Sequence, residues 1–200
     1  AGVVESIGAG VDAGWRGREV IINPGWDWGD SELAQATSLK VLGMPIDGTL
    51  ATHVLVPVKY LHDRPGHLTV QEAAALPLGG VTAYRAAFTQ GQLAAGEKVL
   101  VTGAGGGVSS IVIQFAVAAG AEVYVTSSSP EKIASALKLG AKAGFDYTTA
   151  DWAGEAKSAC GAFDLIIDSA GGDGYAALVE LAAPGGRIVN YGATAGPPKK

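Results

Sequence analysis

The spacing of apolar and polar residues gives the two parts of the chain different textures. Before about residue 75, short apolar runs at residues 20–22 and 50–58 alternate with turn-forming residues such as those at 47–48. Residues 26–40 are polar and are predicted to form a loop. No long helical period occurs here, so we predict an all-β domain, a partial barrel, over residues 1–75.

Strands and helices alternate along the rest of the chain. The predicted helices cover residues 72–76 (ending at Pro77), 79–90, 108–119, 130–139 and 174–183, and the predicted strands cover residues 98–102, 122–127, 143–147, 163–168 and 187–191. Ser129 followed by Pro130 is a typical helix start. This alternation predicts an α/β domain over residues 76–200, with a parallel sheet covered by helices on both faces.

A glycine-rich turn, GAGGG at residues 103–107, joins the first of these strands to the next helix. Small residues let the backbone approach a pyrophosphate, and the amides and dipole of the helix start favour the anion. Because strand, turn, amphipathic helix and second strand form one βαβ unit, the pattern favours dinucleotide binding over a structural turn. No lysine follows the glycines, which disfavours a nucleotide-hydrolysing phosphate loop.

The end of the second strand bears on the choice of dinucleotide. An NAD site usually places an acidic residue there, for the ribose 2′-hydroxyl. This strand ends in TSSS at residues 126–129, and Glu122 lies at its opposite end. Serine hydroxyls and Lys132 can donate hydrogen bonds and charge to a 2′-phosphate, so NADP(H) is favoured over NAD(H). The alternative is that the serines are only helix caps and Lys132 is a solvated helix residue.

Composition limits the partners. Of 200 residues, 48% are apolar and 16% charged, and the formal net charge is −5. The chain can therefore bury a core, and nucleic acid or an anionic membrane surface is disfavoured as a partner. No run approaches the roughly 20 apolar residues of a membrane span. The first residues show neither Met nor a signal-peptide pattern, so we expect a fragment or a processed chain.

Cysteine and histidine are too few and too scattered to predict a metal site. Cys160 is the single cysteine, which rules out a disulfide within the chain and a cysteine-rich zinc site. It is predicted to lie in a loop, and its isolation fits a reducing, cytoplasmic location. His53, His62 and His67 are not at a ligand spacing on any one element, so we expect no bound metal.

Short stretches in order along nearly the whole chain carry a family resemblance. They are GVVESIG at residues 2–8, GTLATHV at 48–54, EAAALP at 72–77, GVTAY at 80–84, TGAGGGV at 102–108, LGA at 139–141 and APGG at 183–186. Together they resemble the medium-chain dehydrogenase/reductases, most closely the zinc-free quinone oxidoreductase-like and alcohol dehydrogenase-like branch. Short-chain dehydrogenases are disfavoured because about a hundred residues precede the turn and no tyrosine has a lysine four residues on.

The resemblance implies a partial GroES-like β-barrel domain over residues 1–75 and a C-terminally incomplete Rossmann domain over 76–200. It implies an NADP(H)-dependent oxidoreductase that transfers a hydride to an enone, a quinone or a related carbonyl substrate. The alternatives are an NAD(P)-dependent alcohol dehydrogenase and a non-catalytic nucleotide-binding protein. A small-molecule substrate and a homodimer of the full-length protein are further implications.

The resemblance also implies a set of cofactor contacts. These are Thr82 at the nicotinamide; Gly105, Gly106, Gly107 and Val108 at the pyrophosphate; Ser128, Lys132 and Tyr147 at the adenosine 2′-phosphate; Ser169 and Ala170 at the ribose; and Gly192 and Ala193 at the carboxamide. Zinc-using members have a cysteine near the start of the segment that corresponds to residues 77–82. Leu78 and Gly79 occupy that stretch here, so no zinc is expected. Ser109 departs from the usual glycine, and we expect it to narrow the space for helix packing. For Tyr84 and Tyr191 we expect core packing, and no catalytic residue is assigned.

Overall fold

The first part of the chain folds into two small sheets in the computed structural model, which describes residues 1–199. Its strands are β1 (Gly2–Val3), β2 (Glu19–Ile22), β3 (Gly25–Trp26), β4 (Lys40–Leu42), β5 (Pro45–Ile46) and β6 (Leu61–Asp63), and short 3-10 helices cover Ala13–Trp15 and Val58–Tyr60. β1, β2 and β6 form an antiparallel sheet, whereas β4 pairs antiparallel with β3 and parallel with β5. These strands belong to a compact unit, Ala1–Gly80, and a second unit covers Val81–Lys200.

The apolar run at residues 50–58 is not a strand, contrary to the pattern-based prediction. Residues 50–57 have no regular structure, and the side chains of Leu50 and Leu55 are almost fully exposed. An apolar sequence becomes a strand only where a neighbouring strand can accept its backbone hydrogen bonds. No described strand pairs with this run.

A single helix, α1 (Val70–Tyr84), continues through Pro77 and leads into a π-helical turn over Arg85–Gln90. The predicted end at Pro77 is therefore wrong. Proline removes one backbone donor, at a cost of about 3 kcal/mol, but the chain can stay helical when packing holds both sides. Ala73 and Ala83, before and after the proline, are completely buried.

The second unit contains a five-stranded parallel sheet. Its elements are β7 (Lys98–Val101), α2 (Gly107–Ala118), β8 (Glu122–Thr126), α3 (Pro130–Lys138), β9 (Ala143–Phe145), α4 (Trp152–Cys160), β10 (Phe163–Asp168), α5 (Tyr175–Leu181) and β11 (Ala182–Asn190). The spatial order is β11-β10-β7-β8-β9. The predicted α/β fold with a Rossmann-type parallel sheet is confirmed.

Helices cover both faces of this sheet, as predicted. One face packs Val99 and Leu165 against Val112 and Ile113 of α2. The other packs Leu100 against Leu178 of α5 and against residues of α4. Neighbouring residues of one strand thus point to opposite faces, and both faces are dry, which explains the nearly uninterrupted apolar strands.

The helix α4 was missed, and the loop predicted around Cys160 is wrong. Cys160 is the last residue of α4, is buried, and its thiol donates to the carbonyl of Ala156 at 2.9 Å. Burial raises the pKa of the Cys160 thiol. The sequence of this helix, WAGEAKSAC, buries only two side chains fully, Ala156 and Cys160, so its apolar stripe is too short to be recognised.

An ion pair joins β11 to the chain just before β7. The guanidinium of Arg187 donates to both carboxylate oxygens of Glu97, at 2.8 Å each, and to the carbonyl of Gly91 at 2.8 Å. The Glu97 carboxylate also accepts the amide of Ala94 at 2.9 Å. These charge-assisted bonds hold the pKa of Glu97 below its ordinary value, with Arg187 as the main cause.

We expect Glu97→Gln to lower the free energy of unfolding by about 2 kcal/mol at pH 7. Since the pKa of Glu97 is depressed in the folded state, the contribution is complete above the ordinary value of 4.5 and is lost as pH falls through the folded value. Urea unfolding from pH 7 to pH 3 should show the two proteins converging. Glu155→Gln, at an exposed position of α4, is the control, and a pH-independent difference between Glu97→Gln and wild type would contradict the assignment.

Candidate functional site

The predicted cofactor contacts in the second unit follow the carboxyl ends of all five parallel strands. The glycine turn follows β7, Ser128 follows β8, Tyr147 follows β9, Ser169 follows β10 and Gly192 follows β11. Strands of one parallel sheet end at the same edge, so these residues share that edge. The chain moves outward from β7 to β8 and β9, and then returns to the other side of β7 with β10 and β11. The glycine turn therefore lies at the topological switch point, where open α/β sheets bind ligands.

The glycine turn presents amide groups at the start of α2. Gly106 is the N-cap of α2, so the amides of Gly107 and Val108 in its first turn have no acceptor inside the helix. Gly105, Gly106 and Gly107 are exposed. Gly105 has a φ of +92°, which L side chains rarely adopt. The arrangement is suited to an anion at the helix start.

Ser109 supports this turn from inside rather than crowding it. Its side chain is completely buried, and its hydroxyl lies 2.8 Å from the carbonyl oxygen of Gly103 and 3.0 Å from that of Gly106. These hydrogen bonds hold the two ends of the turn together. The expected narrowing of the space for helix packing stays a prediction. Sequence analysis identified Ser109 as unusual but gave no sign of this role.

Lys132 lies across the glycine turn. A Cβ atom built on Gly105 would be 2.7 Å from Cδ of Lys132 and 2.8 Å from its Cγ, so a glycine is needed for the lysine stem to pack there. The backbone amide of Lys132 donates to the hydroxyl of Ser129, the N-cap of α3. The first turn of α3 therefore brings the aliphatic stem of Lys132 against Gly105, in the turn that precedes α2.

Ser128 and Tyr147 meet beside the start of α3. The hydroxyl of Tyr147 donates to Oγ of Ser128 at 3.2 Å, and the Tyr147 side chain is about half exposed. Glu122 lies at the far end of β8, where its carboxylate accepts from the hydroxyl of Tyr124 at 3.3 Å. Two acidic residues are neighbours of the predicted phosphate contacts along the chain. Glu131 precedes Lys132, and its carboxylate accepts the hydroxyl of Ser129 at 2.6 Å, while Asp146 precedes Tyr147.

The loops after β10 and β11 are joined. A Cβ atom on Gly192 would lie 2.6 Å from the carbonyl oxygen of Ser169, so the two backbones approach closely. The amide of Ala195 donates to the carbonyl of Ala170 at 2.9 Å. Ala193, between these contacts, is exposed. The four residues predicted for the ribose and carboxamide thus form one group.

The remaining predicted residue, Thr82, lies in the last turn of α1 and is partly buried. Its role at the nicotinamide stays a prediction. Tyr84 is more than half exposed, although its ring packs against Phe88 with centroids 5.0 Å apart, so core packing describes it poorly. Tyr191 packs beside the core, where burial raises the pKa of its hydroxyl and hydrogen bonds with Ser169 and Ser109 partly offset that shift.

Asp168 and its hydrogen-bond partner Thr102, at neighbouring strand ends, were not identified as site residues by sequence analysis. Asp168, the last residue of β10, is 1% exposed, and its carboxylate accepts the hydroxyl of Thr102 at 2.7 Å. The available signal was a charged residue closing an apolar strand, FDLIID. A carboxylate in such a place must be hydrogen-bonded, which marks a built polar network.

The described residues do not fit a zinc site. Among residues 1–199, no three His, Cys, Asp or Glu side chains are grouped so that they could hold a metal ion. His53 pairs with Glu5 at 2.5 Å, and Cys160 is buried at the end of α4. The expected absence of zinc stays a prediction. Within the same residues, no helix combines the length and apolar character needed to cross a membrane.

Comparison with known proteins places this geometry in a family. A family model described as zinc-binding dehydrogenase matches residues 107–200. The zinc-type alcohol dehydrogenase-like protein YogA of Leptosphaeria maculans is 37% identical over 194 residues, which cover 90% of this chain and 54% of that protein. The crystal structure of an NAD-dependent alcohol dehydrogenase aligns with a TM-score of 0.89 and 35% identity, covering 97% of this chain and 58% of that one. The chain belongs to the medium-chain dehydrogenase/reductase family.

A quinone oxidoreductase is also among the similar solved structures. The quinone oxidoreductase of Pseudomonas syringae pv. Tomato aligns with a TM-score of 0.75 and 30% identity, over 99% of this chain and 55% of that one. The family resemblance and the Rossmann-type sheet are thus confirmed, whereas the partial GroES-like domain over residues 1–75 stays a prediction. The chain spans about half the length of these relatives.

Proposed function

We propose that this chain forms the cofactor-binding part of an NADP(H)-dependent oxidoreductase that transfers a hydride to a quinone, an enone or a related carbonyl compound. The observation that carries the choice of cofactor is the group of donors beside α3. Ser128 and Tyr147 are hydrogen-bonded there, and Lys132 packs across the glycine turn. Two hydroxyls and an ammonium suit a 2′-phosphate, whereas the 2′-hydroxyl of NAD needs an acidic partner.

In this proposal, the chain's own residues bind and orient the cofactor. The amides of Gly107 and Val108 hold the pyrophosphate at the start of α2. The loops at Ser169 and Gly192 border the nicotinamide-bearing half, where the cofactor, when bound, supplies a hydride. The protein's contribution to rate is then mainly the placement of the ring against the substrate, with water excluded.

The relatives support a redox function and differ on the substrate. Reduction of quinones or enones is supported by the structural similarity to a quinone oxidoreductase. Alcohol oxidation is the second candidate, since the names of the zinc-type and NAD-dependent relatives refer to alcohol dehydrogenases. A non-catalytic nucleotide-binding protein is the third.

The test begins with binding. Titration calorimetry of the chain with NADPH and with NADH should give at least about tenfold tighter binding of NADPH, a difference of about 1.4 kcal/mol. Tighter binding of NADH would contradict the choice of cofactor. NADPH oxidation is then followed with benzoquinone, cyclohexenone and benzaldehyde, and NADP⁺ reduction with simple alcohols. Turnover with alcohols alone would favour the second candidate.

A further inference from the structure

A single buried carboxylate ties together three neighbouring strand ends at the candidate site. Asp168 is the last residue of β10, Asn190 is the last residue of β11, and Thr102 directly follows β7. These strands are adjacent in the sheet. The Asp168 carboxylate accepts the Thr102 hydroxyl at 2.7 Å and the Asn190 side-chain amide at 2.7 Å.

Two backbone amides complete the environment of this carboxylate. Oδ1 of Asp168 accepts the amide of Ala170 at 3.1 Å, and Oδ2 accepts the amide of Gly171 at 2.9 Å. Each oxygen therefore has two donors, all of them neutral. Burial of an anion is tolerated when its hydrogen-bonding capacity is filled in this way.

The carboxylate also fixes the direction of the Thr102 hydroxyl. Because this hydroxyl donates to Asp168, its oxygen is left to accept the amide of Ser169, which it does at 2.9 Å. Asp168 thus orders Ser169 through Thr102 and orders Ala170 and Gly171 directly. The same Ser169 approaches the glycine turn, since a Cβ atom on Gly103 would lie 2.6 Å from its hydroxyl.

We propose that Asp168 is a positioning residue for the nicotinamide-bearing half of the dinucleotide site. It sets the loop of Ser169 and Ala170 against the glycine turn and, through that loop, the paired loop of Gly192. The proposal rests on the proposed dinucleotide function. It predicts that a change at Asp168 weakens binding of the nicotinamide-bearing half and leaves binding of the adenosine half unchanged. The predicted adenosine contacts Ser128 and Tyr147 follow β8 and β9, and β8 lies two strands, or about 10 Å, from β10.

The decisive variant is Asp168→Asn. In either orientation its NH2 group would face a backbone N–H donor, that of Ala170 or that of Gly171, so the loop has to move away. We expect calorimetry to show about tenfold weaker binding of NADPH. Binding of adenosine 2′,5′-bisphosphate, which carries only the adenosine half, should stay within about twofold of wild type.

The matched control is Asp164→Asn on the same strand. Asp164 accepts the amide of Lys98 at 2.9 Å and lies four residues before Asp168, or about 13 Å along β10. Asp164→Asn should leave the affinities for NADPH and for adenosine 2′,5′-bisphosphate unchanged. The combined change Asp168→Asn with Asn190→Asp restores an acceptor opposite the new amide and should recover part of the NADPH affinity. If Asp168→Asn does not fold, Thr102→Val is used instead, because it removes one donor to the Asp168 carboxylate. It should also weaken NADPH binding while leaving the binding of adenosine 2′,5′-bisphosphate nearly unchanged.

The outcomes separate this inference from the proposed function. If wild type binds no dinucleotide, the proposed function fails, and this inference with it. If wild type binds NADPH and Asp168→Asn binds it equally well, the positioning role alone is overturned. The positioning role is also overturned if Asp168→Asn lowers the affinities for NADPH and for adenosine 2′,5′-bisphosphate to the same extent, because Asp168 then only stabilises the fold.

Discussion

Replacing Gly106 with valine should abolish the binding of both NADPH and NADH, with dissociation constants raised at least about 1000-fold, or about 4 kcal/mol. Gly106 is the N-cap of α2, with φ −74° and ψ 155°, a conformation that valine can adopt. The obstacle is space: a Cβ atom would lie 3.1 Å from the hydroxyl of Ser109 and 3.4 Å from the carbonyl oxygen of Gly103. The two Cγ methyl groups of valine would push the turn open. The backbone amides at the start of α2 would then no longer converge on one anion.

The matched control for this change is Gly174→Val. Gly174 is the N-cap of α5 in the same unit, also has a negative φ, and a Cβ atom there would meet nothing within 4 Å. Calorimetric titration gives the affinities, and thermal unfolding shows whether each variant is folded. Gly106→Ala should fall between wild type and Gly106→Val. Wild-type affinity in a folded Gly106→Val protein would contradict the assignment of the turn.

The glycine turn could be predicted because its signal is local. Strand, turn and amphipathic helix are consecutive, and the apolar stripe of α2 places the helix start within one residue of the observed Gly107. Sequence alone suggested that the glycines leave room for the pyrophosphate. The structure adds that Gly106 leaves room for Ser109, which holds the turn from below.

Other features depend on contacts between distant residues and were missed for that reason. Asp168 matters because β7 and β11 are its neighbours, and Thr102 is 66 positions away in the sequence. The helix α1 continues through Pro77 because residues on both sides of the proline are buried, which no local propensity reveals. Propensity is outweighed wherever packing contributes more than the few kcal/mol that one proline costs.

The second large effect concerns Lys132. Lys132→Glu should weaken NADPH binding about 100-fold, because a hydrogen-bonded charge pair with the 2′-phosphate is replaced by repulsion. NADH has no 2′-phosphate, so its affinity should change by less than about threefold. The stem of Lys132 packs on Gly105, so Lys132→Met, which keeps much of the stem, separates the loss of charge from the loss of packing.

The control for the change in net charge is Lys138→Glu. Lys138 is the last residue of the same helix, six positions on and about 9 Å along its axis, so it should leave both affinities nearly unchanged. Glu131→Gln provides the opposite test. Its carboxylate lies beside Ser129 at the helix start, so its neutralisation should tighten NADPH binding a few-fold by reducing repulsion of the 2′-phosphate. Equal loss of NADPH and NADH affinity in Lys132→Glu would instead mean that Lys132 serves the pyrophosphate, and the choice of NADP(H) would lose its main support.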